Sequence, residues 1–234
     1  SLPADVQVFR APSILSAPMG TQITQGGAAT LSVLADGTAP LSYQWKFDGT
    51  AIVGANGSTL TLSNAVAATA GSYSVTVSNA HGQITTSPVL VDVVFPPSIQ
   101  TQPVSATVLQ GGSCVLSVVA SGTAPLGYQW RKSGVAIEGA TGATLTLVGL
   151  NALSVGSYDV VVSNLYGSAT SAAANVDVVR APSLTSIPGN TMVPAGGSAT
   201  LTVVADGTAP LTYEWSRNGA TVIGGTASSL LFTN

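Results

Sequence analysis

Three copies of one nine-residue stretch decide the fold of this chain. They are GTAPLSYQW at residues 37–45, GTAPLGYQW at 122–130 and GTAPLTYEW at 207–215. The tryptophans that end these copies, Trp45, Trp130 and Trp215, are 85 residues apart in both intervals. A fixed spacing without insertions indicates a tandem repeat of one folded unit.

Other motifs recur with the same offset and set the limits of the repeats. Paired glycines recur at Gly26-Gly27 and Gly111-Gly112, and a Gly-Ser-Tyr triplet recurs at 71–73 and 156–158. Residues 1–10 match 171–180, so they correspond to the last strand of a preceding repeat. The predicted domains are 11–95, 96–180 and 181–234, the last one truncated before its final two strands.

Within a repeat, apolar residues alternate with Thr and Ser over short runs, a pattern typical of strands with one buried face. The apolar positions in the first repeat are Ala29, Leu31, Val33, Tyr43, Trp45, Leu60, Leu62, Tyr73, Val75, Val77, Val89, Val91 and Val93. Residues 79–82 predict a hairpin turn, and no segment predicts a helix. About seven short strands in 85 residues predict an all-β sandwich.

Each repeat resembles an immunoglobulin-like domain of the bacterial, intermediate-set kind. The Trp of YQW lies where that family has its core Trp, and Gly71-x-Tyr73 and Gly156-x-Tyr158 resemble its tyrosine corner. The resemblance implies apolar packing in place of the inter-sheet disulfide, because the corresponding positions are Val33, Val75, Val118 and Val160. The expected fold is a tandem of immunoglobulin-like β-sandwiches.

The joints between repeats are short. Val93-Val94-Phe95-Pro96-Pro97 and the matching residues 178–182 contain no Gly/Ser linker. Proline fixes φ and biases the preceding residue to extended backbone. We therefore expect the repeats to stack end to end as a semi-rigid rod, each advancing it by ~35–45 Å at about 3.3 Å per strand residue.

Composition excludes several classes of function. Only 6% of the 234 residues are charged, and six Lys and Arg cannot neutralise a run of phosphates. One Cys permits no intrachain disulfide, and one His leaves no His-based metal cluster. No uninterrupted apolar run approaches the length of a membrane span.

Individual side chains give no candidate catalytic, cofactor-binding or metal-binding residue. Nine carboxylates are dispersed over the chain, and although Asp36 and Asp206 recur before the Gly-Thr-Ala-Pro turn, the middle repeat has Ser121 there. Calcium needs six to eight clustered oxygens, so no metal site is predicted. Asn56-Gly57-Ser58 fits the glycosylation triplet, but its position predicts a turn.

The reactive and aromatic side chains have structural roles in this interpretation. Cys114 occupies an inward-facing position in the strand alternation, so we expect a buried, inert thiol. His81 is predicted to lie on a surface loop, and the three Trp are predicted to lie in the cores. Phe47 and Tyr166 are the candidates for exposed aromatic rings.

These features favour a structural and adhesive segment of a long bacterial surface or extracellular fibre of repeated immunoglobulin-like domains. The alternatives are a non-catalytic accessory string on a secreted enzyme, such as a polysaccharide hydrolase, and a phage tail decoration. Expected partners are neighbouring repeats and cell-surface glycans or proteins, without nucleic acid. We expect an extracellular location, no enzymatic activity, and a chain that is a window of a longer repeat protein.

Overall fold

The computed structural model describes residues 7–233 of the chain. Part of the strand predicted at residues 1–10 therefore lies outside the described residues, and residues 7–10 belong to no strand. Residues 11–95 contain ten strands: β1 Ser13–Ser16, β2 Thr21–Thr24, β3 Ala29–Ser32, β4 Leu34–Asp36, β5 Ser42–Phe47, β6 Thr50–Ala51, β7 Thr59–Leu62, β8 Gly71–Asn79, β9 Gly82–Thr85 and β10 Val89–Val94.

The strands of the first repeat form two layers. The larger sheet has the order β2-β10-β8-β5-β6, with β9 also paired to β8. Its β2 and β10 run parallel, and β5 runs antiparallel to β8. In the second layer β1 pairs with β4 and β3 pairs with β7. The run predicted as one strand at 29–33 is interrupted at Val33, whose N–H bonds the carbonyl of Ser58 at 2.9 Å.

The second repeat has the same organisation. Its larger sheet has the order β12-β20-β18-β15-β16, and β19 pairs with β18. The smaller ladders join β11 to β14 and β13 to β17. Its strands are β11 Ser98–Thr101, β12 Ala106–Leu109, β13 Cys114–Ser117, β14 Val119–Ser121, β15 Gly127–Lys132, β16 Val135–Ala136, β17 Thr144–Leu147, β18 Gly156–Asn164, β19 Gly167–Thr170 and β20 Ala174–Val179.

A fully buried tryptophan lies at the centre of each of these two sandwiches. Trp45 and Trp130 have no exposed surface, and each indole N–H donates to a backbone carbonyl, that of Gly57 at 3.0 Å and that of Gly142 at 2.9 Å. The ring is therefore removed from water without leaving its polar atom unpaired. Around Trp45 lie the buried side chains of Ile23, Leu31, Val33, Ala65, Tyr73, Val75, Val77, Val91 and Val93.

Valine replaces cysteine at the core positions that join the layers. The four residues predicted there are all buried, with exposed fractions of at most 6%. Without a disulfide, the sandwiches depend on burial of apolar area, at about 25 cal/mol per Å² removed from water. The prediction of apolar packing in place of a bridge is confirmed for Val33, Val75, Val118 and Val160.

The tyrosine corner is present in both sandwiches. Tyr73 donates its hydroxyl to the carbonyl of Thr69 at 2.9 Å, and Tyr158 donates to Ser154 at 2.8 Å. The acceptors end single-turn 3-10 helices at Ala67–Thr69 and Ala152–Ser154. The sequence predicted no helix, because three residues are too short for a periodic pattern.

Phe47 is packed rather than exposed, which corrects the sequence-based prediction. It ends β5 opposite Tyr73, and the two ring centroids are 5.0 Å apart at an angle of 49°. A Cβ atom at Gly71 would collide with the edge of the Phe47 ring, so a larger residue at the start of β8 would displace this ring. In the second repeat Lys132 takes the place of Phe47, with its ammonium 5.7 Å from the centroid of Tyr158.

Residues 181–233 form only short two-stranded ladders. They pair β21 (Ser183–Ser186) with β23 (Val204–Asp206), β22 (Ala199–Thr202) with β26 (Ser229–Phe232), and β24 (Ser216–Arg217) with β25 (Ala220–Thr221). Trp215 is only half-buried, so the prediction of a core position is wrong for this third tryptophan. Its indole N–H still donates to the carbonyl of Ala227 at 2.9 Å. Among residues 181–233, no strand equivalent to β8 or β18 pairs beside Trp215.

The chain divides into two compact units whose limits fall inside the second repeat. The first unit extends to Gln100 and also includes Ala120–Gly127 and Val162–Ala169, and the second unit contains Thr101–Val119, Tyr128–Val161 and the residues that follow Ala169. The domain limits at 95 and 180 therefore stay predictions from the sequence repeat.

We expect Trp130→Ala to lower the free energy of unfolding of the second repeat by about 3–5 kcal/mol, because it removes a large, fully buried ring. Chemical denaturation followed by circular dichroism measures the loss. Trp215→Ala is the matched control. Because its ring is only half-buried, we expect a smaller loss of stability. A loss below about 1 kcal/mol for Trp130→Ala would contradict the core role of this residue.

Candidate functional site: the linker clamp

The clearest constellation of polar groups lies at one end of each repeat, where the incoming chain meets the GTAPL turn. We call it the linker clamp, made of a linker residue, a turn Thr and a hairpin Asn. Its members are Arg10, Thr38 and Asn79 in the first repeat, and Phe95, Thr123 and Asn164 in the second. In the third repeat the clamp contains Arg180 and Thr208.

Thr38 holds the backbone of Arg10 from both sides. The N–H of Arg10 donates to Thr38 Oγ1 at 2.7 Å, and the N–H of Thr38 donates back to the carbonyl of Arg10 at 3.1 Å. Phe95 and Thr123 repeat this exchange at 2.8 and 2.9 Å. The linker backbone is therefore fixed to the turn whatever side chain the linker residue carries.

The hairpin Asn closes the clamp. Asn164 Nδ2 donates to the carbonyls of Phe95 and Thr123, both at 2.8 Å, and its Oδ1 accepts the N–H of Tyr166 at 2.9 Å. Asn79 makes the same three kinds of bond in the first repeat. An amide side chain can donate two hydrogen bonds and accept more at its oxygen, which suits this position.

The turn also packs tightly against the proline that precedes the first strand of its own repeat. A Cβ atom at Gly37 would lie 3.1 Å from the Cα of Pro12, and the same distance separates a Cβ at Gly122 from the Cα of Pro97. Only glycine permits this approach without a shift of the backbone. The recurring Gly and Pro of the sequence therefore serve the same contact.

Ion pairs accompany two of the three clamps. Arg10 lies 2.8 Å from Asp36, and Arg180 lies 2.6 Å from Asp206. Hydrogen bonds from the Arg180 guanidinium and from the N–H of Gly207 lower the pKa of Asp206 below its ordinary value. The two recurring carboxylates considered for calcium therefore pair with arginine. These side chains are about half exposed, so each pair contributes little to stability.

The second repeat has Phe95 and Ser121 where the other two have Arg and Asp. Phe95 packs against the core of the first repeat, while its backbone is held by Thr123 and Asn164. All of these residues belong to the first compact unit. The side chain of Phe95 therefore makes an apolar contact, while its backbone is hydrogen-bonded in the clamp.

The hairpin tip next to each Asn carries an aromatic ring. The exposed ring of His81 stacks on Phe9, with centroids 4.6 Å apart and planes inclined by 25°. Tyr166 is half-buried rather than exposed, and its hydroxyl lies 3.3 Å from Oε1 of Gln22. Both rings therefore make contacts within the chain.

The one cysteine of the chain lies at the start of a strand in the second repeat. Cys114 begins β13 opposite Leu147 and is half-buried, which corrects the prediction of a fully buried thiol, and burial raises its pKa. Across residues 7–233, no group of three or more His, Cys, Asp or Glu could hold a metal ion. No helix within that range is long and apolar enough to cross a membrane.

Comparison with known proteins confirms the immunoglobulin-like fold. Residues 11–79 match the immunoglobulin domain family. A three-immunoglobulin fragment of titin superposes with a TM-score of 0.71 at 20% identity, covering 97% of this chain and 89% of that one. The insect immune protein hemolin gives a TM-score of 0.57 at 16% identity, covering 75% of this chain and 49% of that one.

The curated relatives match shorter shares of their own length. The decoration protein of Escherichia phage T5 is 48% identical over 58 residues, which cover 24% of this chain and 35% of that protein. Contactin-1 of Gallus gallus is 28% identical over 160 residues, covering 64% of this chain and 16% of that protein. The chain therefore spans about a third or less of these relatives. The bacterial and intermediate-set parts of the resemblance stay predictions.

We expect Asn164→Ala to destabilise the second repeat by about 1–3 kcal/mol, because it leaves the carbonyls of Phe95 and Thr123 without their shared donor. Urea denaturation of the full chain measures the change. Asn175→Ala is the matched control, since that exposed strand residue uses only its backbone N–H, toward Ser105. Equal losses for the two variants would show that the Asn164 side chain contributes nothing to the clamp.

Proposed function

We propose that this chain is a non-catalytic structural and adhesive segment of a long bacterial surface or extracellular fibre built from repeated immunoglobulin-like domains. The single observation that carries the proposal is the linker clamp. Its turn Thr binds the incoming chain in the same way in all three repeats. A device that fixes the point of entry into each repeat suits a protein that transmits load along its length.

The distribution of polar groups supports a role without catalysis. Within the described residues, every buried side-chain nitrogen and oxygen has a hydrogen-bond partner. Catalytic sites are characteristically places where titratable groups converge and their pKa values are strongly perturbed. Here the hydrogen bond to Asp159 raises the pKa of Arg131, and hydrogen bonds from Arg180 and from the N–H of Gly207 lower the pKa of Asp206, so both have ordinary structural causes.

The exposed surface supports adhesion to other molecules at the cell exterior. Threonines of facing strands pair on the solvent side of the sheets, as Thr76 and Thr85 do at 2.8 Å. Such surfaces offer hydroxyl donors and acceptors with little charge. The proposed partners are neighbouring repeats of the same or identical chains, and glycans or proteins of a cell surface. The proposed location is extracellular.

Decoration of a phage particle is a second candidate function. It is favoured by the 48% identity over 58 residues to the decoration protein of Escherichia phage T5. An immunoglobulin-like repeat held by its linker clamp would serve there as an outward-facing module. The two candidates share a structural, non-catalytic role and differ in the particle that displays the chain.

Immunogold labelling with antibodies against the full chain tests the proposal on cells of the source. We expect gold at the outer surface of the bacteria or on extracellular fibres, and serum adsorbed with the purified chain is the control. Labelling confined to phage particles would replace the first function by the second. Labelling confined to the cell interior would overturn both.

A further inference from the structure

The loop before β7 supplies the hydrogen-bond acceptor for the buried tryptophan of the first repeat. Gly57 accepts the indole N–H of Trp45 through its carbonyl at 3.0 Å, and the next carbonyl, that of Ser58, accepts the N–H of Val33 at 2.9 Å. Residues 56–58 therefore connect a solvent-exposed loop directly to the core.

This loop has the same geometry in all three repeats but a different sequence in the first. The N–H groups of Asn56, Thr141 and Thr226 each donate to the carbonyl two residues earlier, at 3.0, 3.0 and 2.9 Å. The residue that follows accepts the tryptophan N–H in each repeat. Only the first repeat places Asn before Gly at this point, as Asn56-Gly57.

The Asn56-Gly57 pair is open to an intramolecular reaction. Asn56 and Gly57 are both exposed. Among residues 7–233, no hydrogen bond engages the side-chain amide of Asn56 or the backbone N–H of Gly57. Glycine lacks a Cβ, so it places little steric hindrance around its own nitrogen. The nucleophile and the carbonyl that it attacks belong to adjacent residues.

We propose that Asn56-Gly57 is a site of spontaneous deamidation that is coupled to the core of the first repeat. The backbone nitrogen of Gly57 attacks Cγ of Asn56, a C–N bond forms, and ammonia leaves as the succinimide ring closes. Water then opens the ring at either carbonyl. One product has Asp at position 56, and the other has an isoaspartyl linkage in which the backbone runs through the side chain.

The isoaspartyl product alters the support of Trp45. Its main chain gains one methylene immediately before Gly57, whose carbonyl is the acceptor for the buried indole. Both products also add a negative charge to a loop that had none. A displaced acceptor leaves a buried N–H without its partner, which is costly in a fully enclosed site. The modification therefore weakens the first repeat and leaves the second repeat unchanged.

The chain itself provides the matched control variants. Asn56→Thr installs the residue that the other two repeats have at this position. Gly57→Ala keeps Asn56 but hinders attack by the following nitrogen. A Cβ at Gly57 meets only Thr59 at ordinary contact distances, and Ala227 shows that alanine accepts the tryptophan N–H here. Neither substitution should disturb the fold.

The test uses the full chain produced without glycosylation and aged at mildly alkaline pH. Peptide mapping by mass spectrometry measures deamidation at Asn56, with Asn218-Gly219 in the β24–β25 turn as an internal reference. We expect aspartyl and isoaspartyl products at position 56, and loss of most of this product in Gly57→Ala. If Asn56 stays intact while Asn218 reacts, the folded loop protects it and the proposal is wrong.

Coupling to the core is measured on the tryptophan indole N–H signals by NMR hydrogen exchange. In the isoaspartyl fraction we expect faster exchange at Trp45, unchanged exchange at Trp130, and a melting midpoint for the first repeat about 4–8 °C lower, the shift that loss of one buried hydrogen bond produces in a domain of this size. Aged Asn56→Thr should behave like fresh protein. Unchanged Trp45 exchange in the isoaspartyl fraction would refute the coupling.

Discussion

Burial of one indole ring, with its N–H satisfied by a loop carbonyl, is the interaction on which each complete sandwich depends. Trp45 and Trp130 achieve it where β8 and β18 pair with the strands that carry them and complete the larger sheet. In residues 181–233 no equivalent strand is present, and Trp215 is half-exposed although it keeps its hydrogen bond. The hydrogen bond alone therefore does not assemble the core, since the apolar area covered by the central strand is also required.

The ends of the repeats follow a different physical principle from their centres. There the chain is held by directional bonds to backbone atoms, from a turn Thr and a hairpin Asn, and the linker side chain is left to vary. Arg10 and Arg180 use that freedom for exposed ion pairs, whereas Phe95 packs against the first core. The hydrogen bonds fix the position of the linker backbone, and the linker side chain adds either an ion pair or an apolar contact.

Much of the fold follows from the sequence because its signals are local and repeated. The tyrosine corner, the valine pairs and the first two core tryptophans are confirmed, since each lies at a fixed place in an alternating strand. The sequence does not predict the packing of Phe47, because strand alternation does not show that Tyr73 lies opposite it. The intact motif predicts a buried Trp215, but burial of this ring also depends on strands elsewhere in the fold.

The linker clamp was missed for a related reason. Asn164 and Phe95 are 69 residues apart, and no pattern within one strand connects them. The signal that could have found the clamp is the joint recurrence of a Thr in the GTAPL turn and an Asn at the end of the Gly-Ser-Tyr strand. Polar residues that recur at fixed positions beside the recurring apolar residues are candidates for hydrogen bonds to backbone atoms, even when each alone predicts only a turn.

The alternation between Arg-Asp and Phe-Ser at the joints has a consequence for how such arrays change by recombination. A crossover that removes one whole repeat keeps the reading frame and the clamp, because Thr bonds any linker backbone. It can nevertheless place Phe95 before a repeat that carries Asp206, or an arginine before one that carries Ser121. Such a junction is covalently correct, but its Arg or Asp side chain has lost the ion pair. Loss of a whole repeat therefore preserves the fold of the remaining repeats but separates the side chains that pair at the joints.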